Sequence, residues 1–294
     1  MYELVQVGPQ SYYIQCPAKS GVWTPDGLHA VLIDSGNDKE AGRKVRQVLD
    51  RQGWALQAIL NTHSNADHIG GNKYLQAQTG CKIFANGAEV SFTRHPLLEP
   101  SFLYGGYPFA ELRHKFLMAQ DSDALDLHHP DFPARIEVIP LPGHFFDMVG
   151  FRTPDDTVFL ADCLSSEATL DKYGVPFLFD VEAHLQTLHT VETMQAAMFV
   201  PAHADAAAEV AALAAYNRVK VLAVADFLLE VCRTPIPFEI ALQQVFAHYG
   251  LTMNYEQYAL VGSTIRSYLA WLKDTGRVSV LFAEHQMLWQ TVSV

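Results

Sequence analysis

The chain has 294 residues, of which 49% are hydrophobic and 18% charged, and its formal net charge is -12. That length and balance bury a full core and exclude a largely disordered chain, while the acidic surplus disfavours nucleic acid as a partner. The four cysteines, Cys16, Cys81, Cys163 and Cys232, form no C-x-x-C pair, which argues against a disulfide framework or a thiolate zinc site.

The opening MYELVQVGPQSYYIQC has no basic stretch leading into an apolar run, and no later segment is long and apolar enough for a membrane span. A cytoplasmic protein without a membrane partner is expected. Short apolar runs ended by turn residues predict strands at Tyr12 to Gln15, Ala30 to Ile33 and Ala58 to Leu60. Between the last two, Lys39 to Gln52 places Val45, Val48 and Leu49 on one helical face, with Asn37 and Asp38 as caps and Gly53 as the stop. The polar segment Asn61 to Gly71 then follows a strand end, the usual place for a site in layered α/β proteins.

Residues 92–135, rich in aromatics, proline and glycine, carry weak periodicity and are expected to form an inserted lid. Its aromatic run, Phe102 to Phe109, either lines a pocket or packs the lid onto the body. Strands return at Ile136 to Leu141 and Thr157 to Leu160, each followed shortly by a histidine or an aspartate. A long alanine-rich helix is expected from Asp205 to about Cys232, and Pro235 and Pro237 break it. Helices near Phe238 to His248 and Tyr255 to Lys273, then β-like runs at Arg277 to Phe282 and Met287 to Val292, suggest a winged-helix-like module. The chain thus divides into a body over 1–205 and a C-terminal module over 206–294.

The segment Thr62-His63-Ser64-Asn65-Ala66-Asp67-His68-Ile69-Gly70-Gly71 packs two imidazoles, a carboxylate and an amide closely together, then ends in glycines that permit a tight turn. A divalent cation takes several neutral imidazoles and one or two carboxylates converging from different strand ends. Further ligand types follow in order: His144 in Pro142-Gly143-His144, Asp162 in Leu160-Ala161-Asp162, and His203 in Val200-Pro201-Ala202-His203.

These four segments resemble the ordered motifs of the metallo-β-lactamase superfamily, whose first motif is H-x-H-x-D-H, and the resemblance spans roughly residues 10 to 205. It implies an α/β fold, a four-layer αββα sandwich, with residues 1–205 as the catalytic domain. It also implies one metal site at His63, Asn65 and His144 and another at Asp67, His68 and His203, with Asp162 as the bridging carboxylate. Asn65 stands where the family has histidine. An amide oxygen is the weaker ligand for zinc, so the first site is expected to bind less tightly or to prefer a harder ion such as manganese or iron. Either an unequal binuclear centre or a single metal on Asp67, His68, Asp162 and His203 follows. Asp147 is a candidate substitute ligand, set against the plainer reading of an exposed loop carboxylate.

The resemblance and the ligand chemistry imply a hydrolase in which one or two divalent ions, zinc first, activate water and polarise the oxygen attacked, with Asp67 orienting that water. The expected substrate is a small ester, thioester, lactone or related molecule. The alternatives are a nuclease assisted by the winged-helix-like module and a non-catalytic member with a decayed site. Against the nuclease, Arg266, Lys273 and Arg277 sit among apolar residues such as Tyr268, Leu269, Trp271 and Leu272. That apolar face suits docking on the catalytic domain or on a second copy, and a homodimer is the expected assembly. Tyr173 follows Asp162 where related hydrolases place substrate-contacting side chains, and is weighed against a plain loop anchor. The remaining histidines, His184 included, sit in no matching motif and receive no role.

Overall fold

The computed structural model describes residues 2–292; the outermost ends of the expected divisions, residues 1, 293 and 294, lie outside them. Strands β1 (Glu3–Gln6), β2 (Ser11–Gln15), β3 (Ser20–Trp23) and β4 (His29–Ile33) run antiparallel in sequence order. Helix α1 (Lys39–Gln52) then crosses to β5 (Ala55–Leu60), which pairs parallel to β4. Asp38 fixes the start of α1 by accepting the Ala41 N–H, and Gly53 ends it at φ 72. Helices α2 (Ala66–Ile69) and α3 (Asn72–Thr79) lead to β6 (Lys82–Ala85).

Helices α4 (Ala88–Arg94) and α5 (Leu98–Tyr104) follow, and β7 (Ala124–Asp126) then pairs with β6 to complete a seven-stranded sheet. The stretch 92–135 is therefore more structured than the lid expected from its weak periodicity. One part of it is the sheet's edge strand, and Leu103, Leu112 and Leu117 form a small core with Ala259. Phe102 packs its ring against Phe145, Phe146 and Phe179, so this member of the aromatic run fastens the segment to the body.

The second sheet has the order β11-β10-β9-β8, built from β8 (Glu137–Pro140), β9 (Val149–Arg152), β10 (Thr157–Ser165) and β11 (Met198–His203). Helices α6 (Glu167–Tyr173) and α7 (Val181–Thr193) lie between β10 and β11 in the chain. Val31, Ile33, Leu60 and Phe84 of the first sheet share one core with Phe151, Phe159 and Val200 of the second. Outside that core, Val45, Val48 and Leu49 of α1 pack on Ile14, Leu32 and Ile59, while Leu188 and Val191 of α7 pack with Val158 and Leu160. The layers run helix, sheet, sheet, helix. Each buried aliphatic or aromatic side chain contributes about 1.5–3 kcal/mol to holding them together.

Helix α8 (Ala211–Val231) begins later than the composition suggests, because Ala207 pairs with Phe199 and holds the preceding residues against β11. Then come β12 (Ile236–Pro237), α9 (Phe238–His248), α10 (Tyr255–Asp274), β13 (Val278–Ala283) and β14 (Gln286–Thr291), with sheet order β12-β14-β13. Tyr268, Leu269 and Leu272 of α10 are buried in the same core as Leu160, Leu164 and Leu178. These three residues of the apolar face are thus covered within the chain. Among the described residues no helix is long and apolar enough to cross a membrane.

Candidate metal centre

Three backbone features gather the polar side chains at one end of the two sheets. Asp34, just beyond β4, takes φ 59 and accepts the Thr62 N–H at 2.9 Å and the Thr62 hydroxyl at 2.7 Å. Its Oδ2 also lies 2.8 Å from His68 Nδ1, which leaves Nε2 as the imidazole's free ligand atom. Gly71 lets the turn after α2 press onto the Asp34 loop, since a Cβ there would stand 2.3 Å from the Ser35 carbonyl oxygen. Gly143, at φ 120, has the backbone of His184 where a Cβ would be, and so sets the path of the chain into His144.

Asp162 lies inside β10, not beyond its end as the sequence suggests. The strand runs on to Ser165 through register irregularities on either side of Ala161, which takes φ 51. His203 is the last residue of β11.

All seven expected ligand residues come together. Ligand atoms of Asp67, His68, Asp162 and His203 lie within 4.8 Å of one another, as do those of His63, His144 and Asp162, so Asp162 belongs to both groups. His203 Nε2 is 3.1 Å from Asp162 Oδ2 and 3.5 Å from Asp67 Oδ2, and His144 Nε2 is 3.7 Å from Asp162 Oδ2. His63 Nε2, His68 Nε2 and Asp162 Oδ1 are buried without a hydrogen-bond partner, although the last two are only 3.0 Å apart. Ligand-type atoms buried this close together carry a desolvation cost, greatest at His63 Nε2, that a divalent cation would relieve. The residues present fit such an ion.

Burial alone would raise the Asp162 carboxyl, but His203 and His68 hold it well below the usual carboxylate range. Asp162 in turn lifts His203 to about 10, against the effect of burial. Burial pushes His63 well down, and pushes His184 down to about 3.

Asn65 stands at the N-terminus of α2 with its Oδ1 3.2 Å from His144 Nε2, while its Nδ2 donates at 2.7 Å to the buried Glu99. Glu89, also buried, accepts the Ser64 N–H at 2.9 Å and the Asp147 N–H at 2.8 Å, and burial lifts its carboxyl to about 7. Asp147 itself is exposed, receives the Ala88 N–H at 2.7 Å and is in neither ligand group, in keeping with its plainer reading. Asp34, Glu89, Glu99 and His184 are the site residues that sequence reasoning missed. Only Asp34, in an Asp-Ser-Gly strand ending, carried a local signal.

The metallo-beta-lactamase superfamily model matches residues 16–203, which contain every one of these ligand candidates. The chain belongs to that superfamily. Among curated relatives, the hydroxyacylglutathione hydrolase of Methylobacillus flagellatus is 30% identical over 141 residues, covering 46% of this chain and 45% of that protein. That of Rhodopseudomonas palustris is 32% identical over 133 residues, covering 44% and 42%. The chain therefore spans a little under half the length of these two relatives. In structure it is similar to a metallo-beta-lactamase family protein from Thermus thermophilus, with TM-score 0.74, 16% identity and coverage of 97% and 99%. A beta-lactamase domain protein from Burkholderia ambifaria gives 0.73, 16%, 99% and 94%. At such identity these two establish a shared fold, and their coverage takes in the C-terminal module.

In this metallo-β-lactamase fold the ligand cluster opens onto a cavity of about 430 Å³. His144, Asp162 and His203 stand at its head, and Leu170, Tyr173, Phe177, Leu260 and Val261 are among its walls. Tyr173 is 49% exposed, and its hydroxyl oxygen accepts from Lys172 Nζ at 3.1 Å.

Proposed function

We propose that the protein is a metal-dependent hydrolase acting on a small thioester, with esters and lactones as the neighbouring substrate chemistries. The observation that carries this reading is the pair of ligand groups sharing Asp162 at the head of a cavity sized for a small molecule. The relatives named as hydroxyacylglutathione hydrolases support a thioester as the bond cleaved.

Asp67, His68, Asp162 and His203 would hold one divalent ion, zinc first, and His63, Asn65, His144 and Asp162 a second, with manganese or iron better suited to the amide-containing set. Bound metal supplies an activated water and polarises the acyl oxygen. The chain's own residues do the rest. Asp34 fixes the tautomer and orientation of His68. Asp67, whose side chain is 42% exposed, would also orient the attacking water. Tyr173, on the cavity wall, would touch the substrate.

The element order α8-β12-α9-α10-β13-β14 and the sheet order β12-β14-β13 support a winged-helix-like reading of the C-terminal module. Two of its cations lie over aromatic rings, Arg266 at 3.9 Å over Phe238 and Arg277 at 5.5 Å over Trp271. That supports a small-molecule substrate over a nucleic acid.

The test is metal content per chain of protein purified without added metal, for wild type and Asn65→His, alongside thioester hydrolysis. Asn65→His is expected to raise the metal content, and His68→Ala or Asp162→Ala to abolish hydrolysis. Full activity in either alanine variant would overturn the mechanism. No metal in any form, with no hydrolysis, would leave a decayed site as the better account.

A further inference from the structure

We propose that the cavity beside the ligand cluster takes an uncharged, apolar acyl chain, and that helix α10 of the C-terminal module limits the length it accepts. The inference rests on the thioester reading above and goes further by assigning the acyl side of the bond.

Three observations carry it. First, much of the wall is apolar: Leu170, Val175, Pro176 and Phe177 line the space together with Leu260 and Val261 of α10, and no lysine or arginine lines it. Second, two of the polar side chains on those walls, Thr264 and Asn217, are already committed. Thr264 donates its hydroxyl to the Leu260 carbonyl at 3.0 Å and accepts the Leu178 N–H at 3.3 Å. Asn217 accepts the Ser165 N–H at 3.0 Å and donates to the Ser165 carbonyl at 2.9 Å. Away from the head, a carboxylate brought into this space would lose its water without meeting a lysine or arginine, which is unfavourable. Lys172 stands outside the wall with its Nζ over the Tyr173 ring. A charged acyl group therefore has no lysine or arginine to pair with inside, whereas an alkyl chain meets Leu170, Val175, Phe177, Leu260 and Val261.

Third, the head and the side wall are rigidly placed. His144, Asp162 and His203 at the head set where the carbonyl carbon must lie, and the ring of Phe177 packs edge-on against His144 at 5.4 Å. Farther along α10, Tyr268, Leu269 and Leu272 are buried in the main core, and Val261 is buried in the same core. Leu260 and Val261 are consequently fixed walls, and their size determines how many methylenes fit. Since one methylene more or less in an apolar pocket changes discrimination by about tenfold or more, a single wall substitution should move the preference measurably.

The experiment uses the full metal-loaded chain and thioesters of a neutral thiol, N-acetylcysteamine, bearing acetyl, butanoyl, hexanoyl or octanoyl groups, with the same series on glutathione. In parallel, calorimetry measures binding of ketone analogues in which a methylene replaces the thioester sulfur. Wild type is expected to prefer a medium-length chain over acetyl on either thiol. Leu260→Phe should cut the medium-to-acetyl ratio of kcat/KM by about tenfold, and Val261→Ala should shift the optimum to a longer chain. Misfolding cannot produce the second change, and unfolding midpoints check the first. Rates that ignore acyl length and follow the thiol alone would overturn the inference, as would a ratio that neither substitution moves. If no thioester is hydrolysed yet the ketone series binds in a length-dependent way that Leu260→Phe weakens, the cavity assignment stands and the thioesterase reading fails.

Discussion

Glu99→Ala isolates the residue that holds the one departure from the family's ligand pattern. The Asn65 side chain has one end that can face a metal as a ligand, its oxygen, and one that cannot, its NH2. Glu99 captures the NH2 end at 2.7 Å, so the oxygen is turned toward His144 Nε2 at 3.2 Å. Burial pushes the Glu99 carboxyl well above its ordinary range, and the neutral acid still offers a carbonyl oxygen to this bond. With Glu99 truncated, the amide is free to rotate, and its NH2 can occupy the ligand position. Loss of a partner that orients a ligand costs about 10–100-fold in metal affinity, or about 1.4–2.7 kcal/mol. The loss should fall on the set His63, Asn65, His144 and Asp162, because Glu99 forms no hydrogen bond to Asp67, His68 or His203. Competition with a calibrated chelator, read for each equivalent of metal, measures it. Glu99→Gln keeps an acceptor oxygen and should retain most of the affinity. Two equivalents bound by Glu99→Ala with wild-type affinity would refute the reasoning.

Asp34→Ala strips acceptors from the Thr62 N–H, the Thr62 hydroxyl and His68 Nδ1, all buried. It should cost about 3–5 kcal/mol in denaturant unfolding, and a wild-type midpoint would contradict the network described. Asp155 ties the start of β2 to the β9–β10 turn, accepting from Gln10 N at 2.8 Å, Ser11 Oγ at 2.5 Å and Thr153 Oγ1 at 2.6 Å. Burial would raise its carboxyl, but these hydrogen bonds hold it below the usual range. Its folded pKa therefore lies below the unfolded one, so its contribution is present at neutral pH and is lost as pH falls through the folded pKa. Asp155→Ala should cost about 1–2 kcal/mol near pH 7, allowing for partial exposure. That difference should shrink below about pH 4, and a constant difference across the range would show that the carboxylate is not the cause.

The sequence determined what depends on neighbours in the chain. The capped helix over Lys39–Gln52 follows from Asp38, Gly53 and the spacing of Val45, Val48 and Leu49, all within reach of local geometry. The candidate ligand residues were legible for a related reason: metal chemistry needs particular side-chain types, and four short segments carried them in order. Tertiary structure alone decided what depends on residues far apart in the chain. Glu99 meets Asn65 across 34 positions, and Asp34 meets His68 across 34, so no window of sequence contains either pair. The edge strand Ala124–Asp126 is three residues long and exists only because β6 offers it an unpaired edge. Leu260 and Val261 read as ordinary helix residues, yet the fold carries them some hundred positions back along the chain to face the ligand cluster across a cavity. Side-chain type is written locally. The partner that each side chain meets is fixed by the packing of layers, which brings distant segments together to bury their apolar faces.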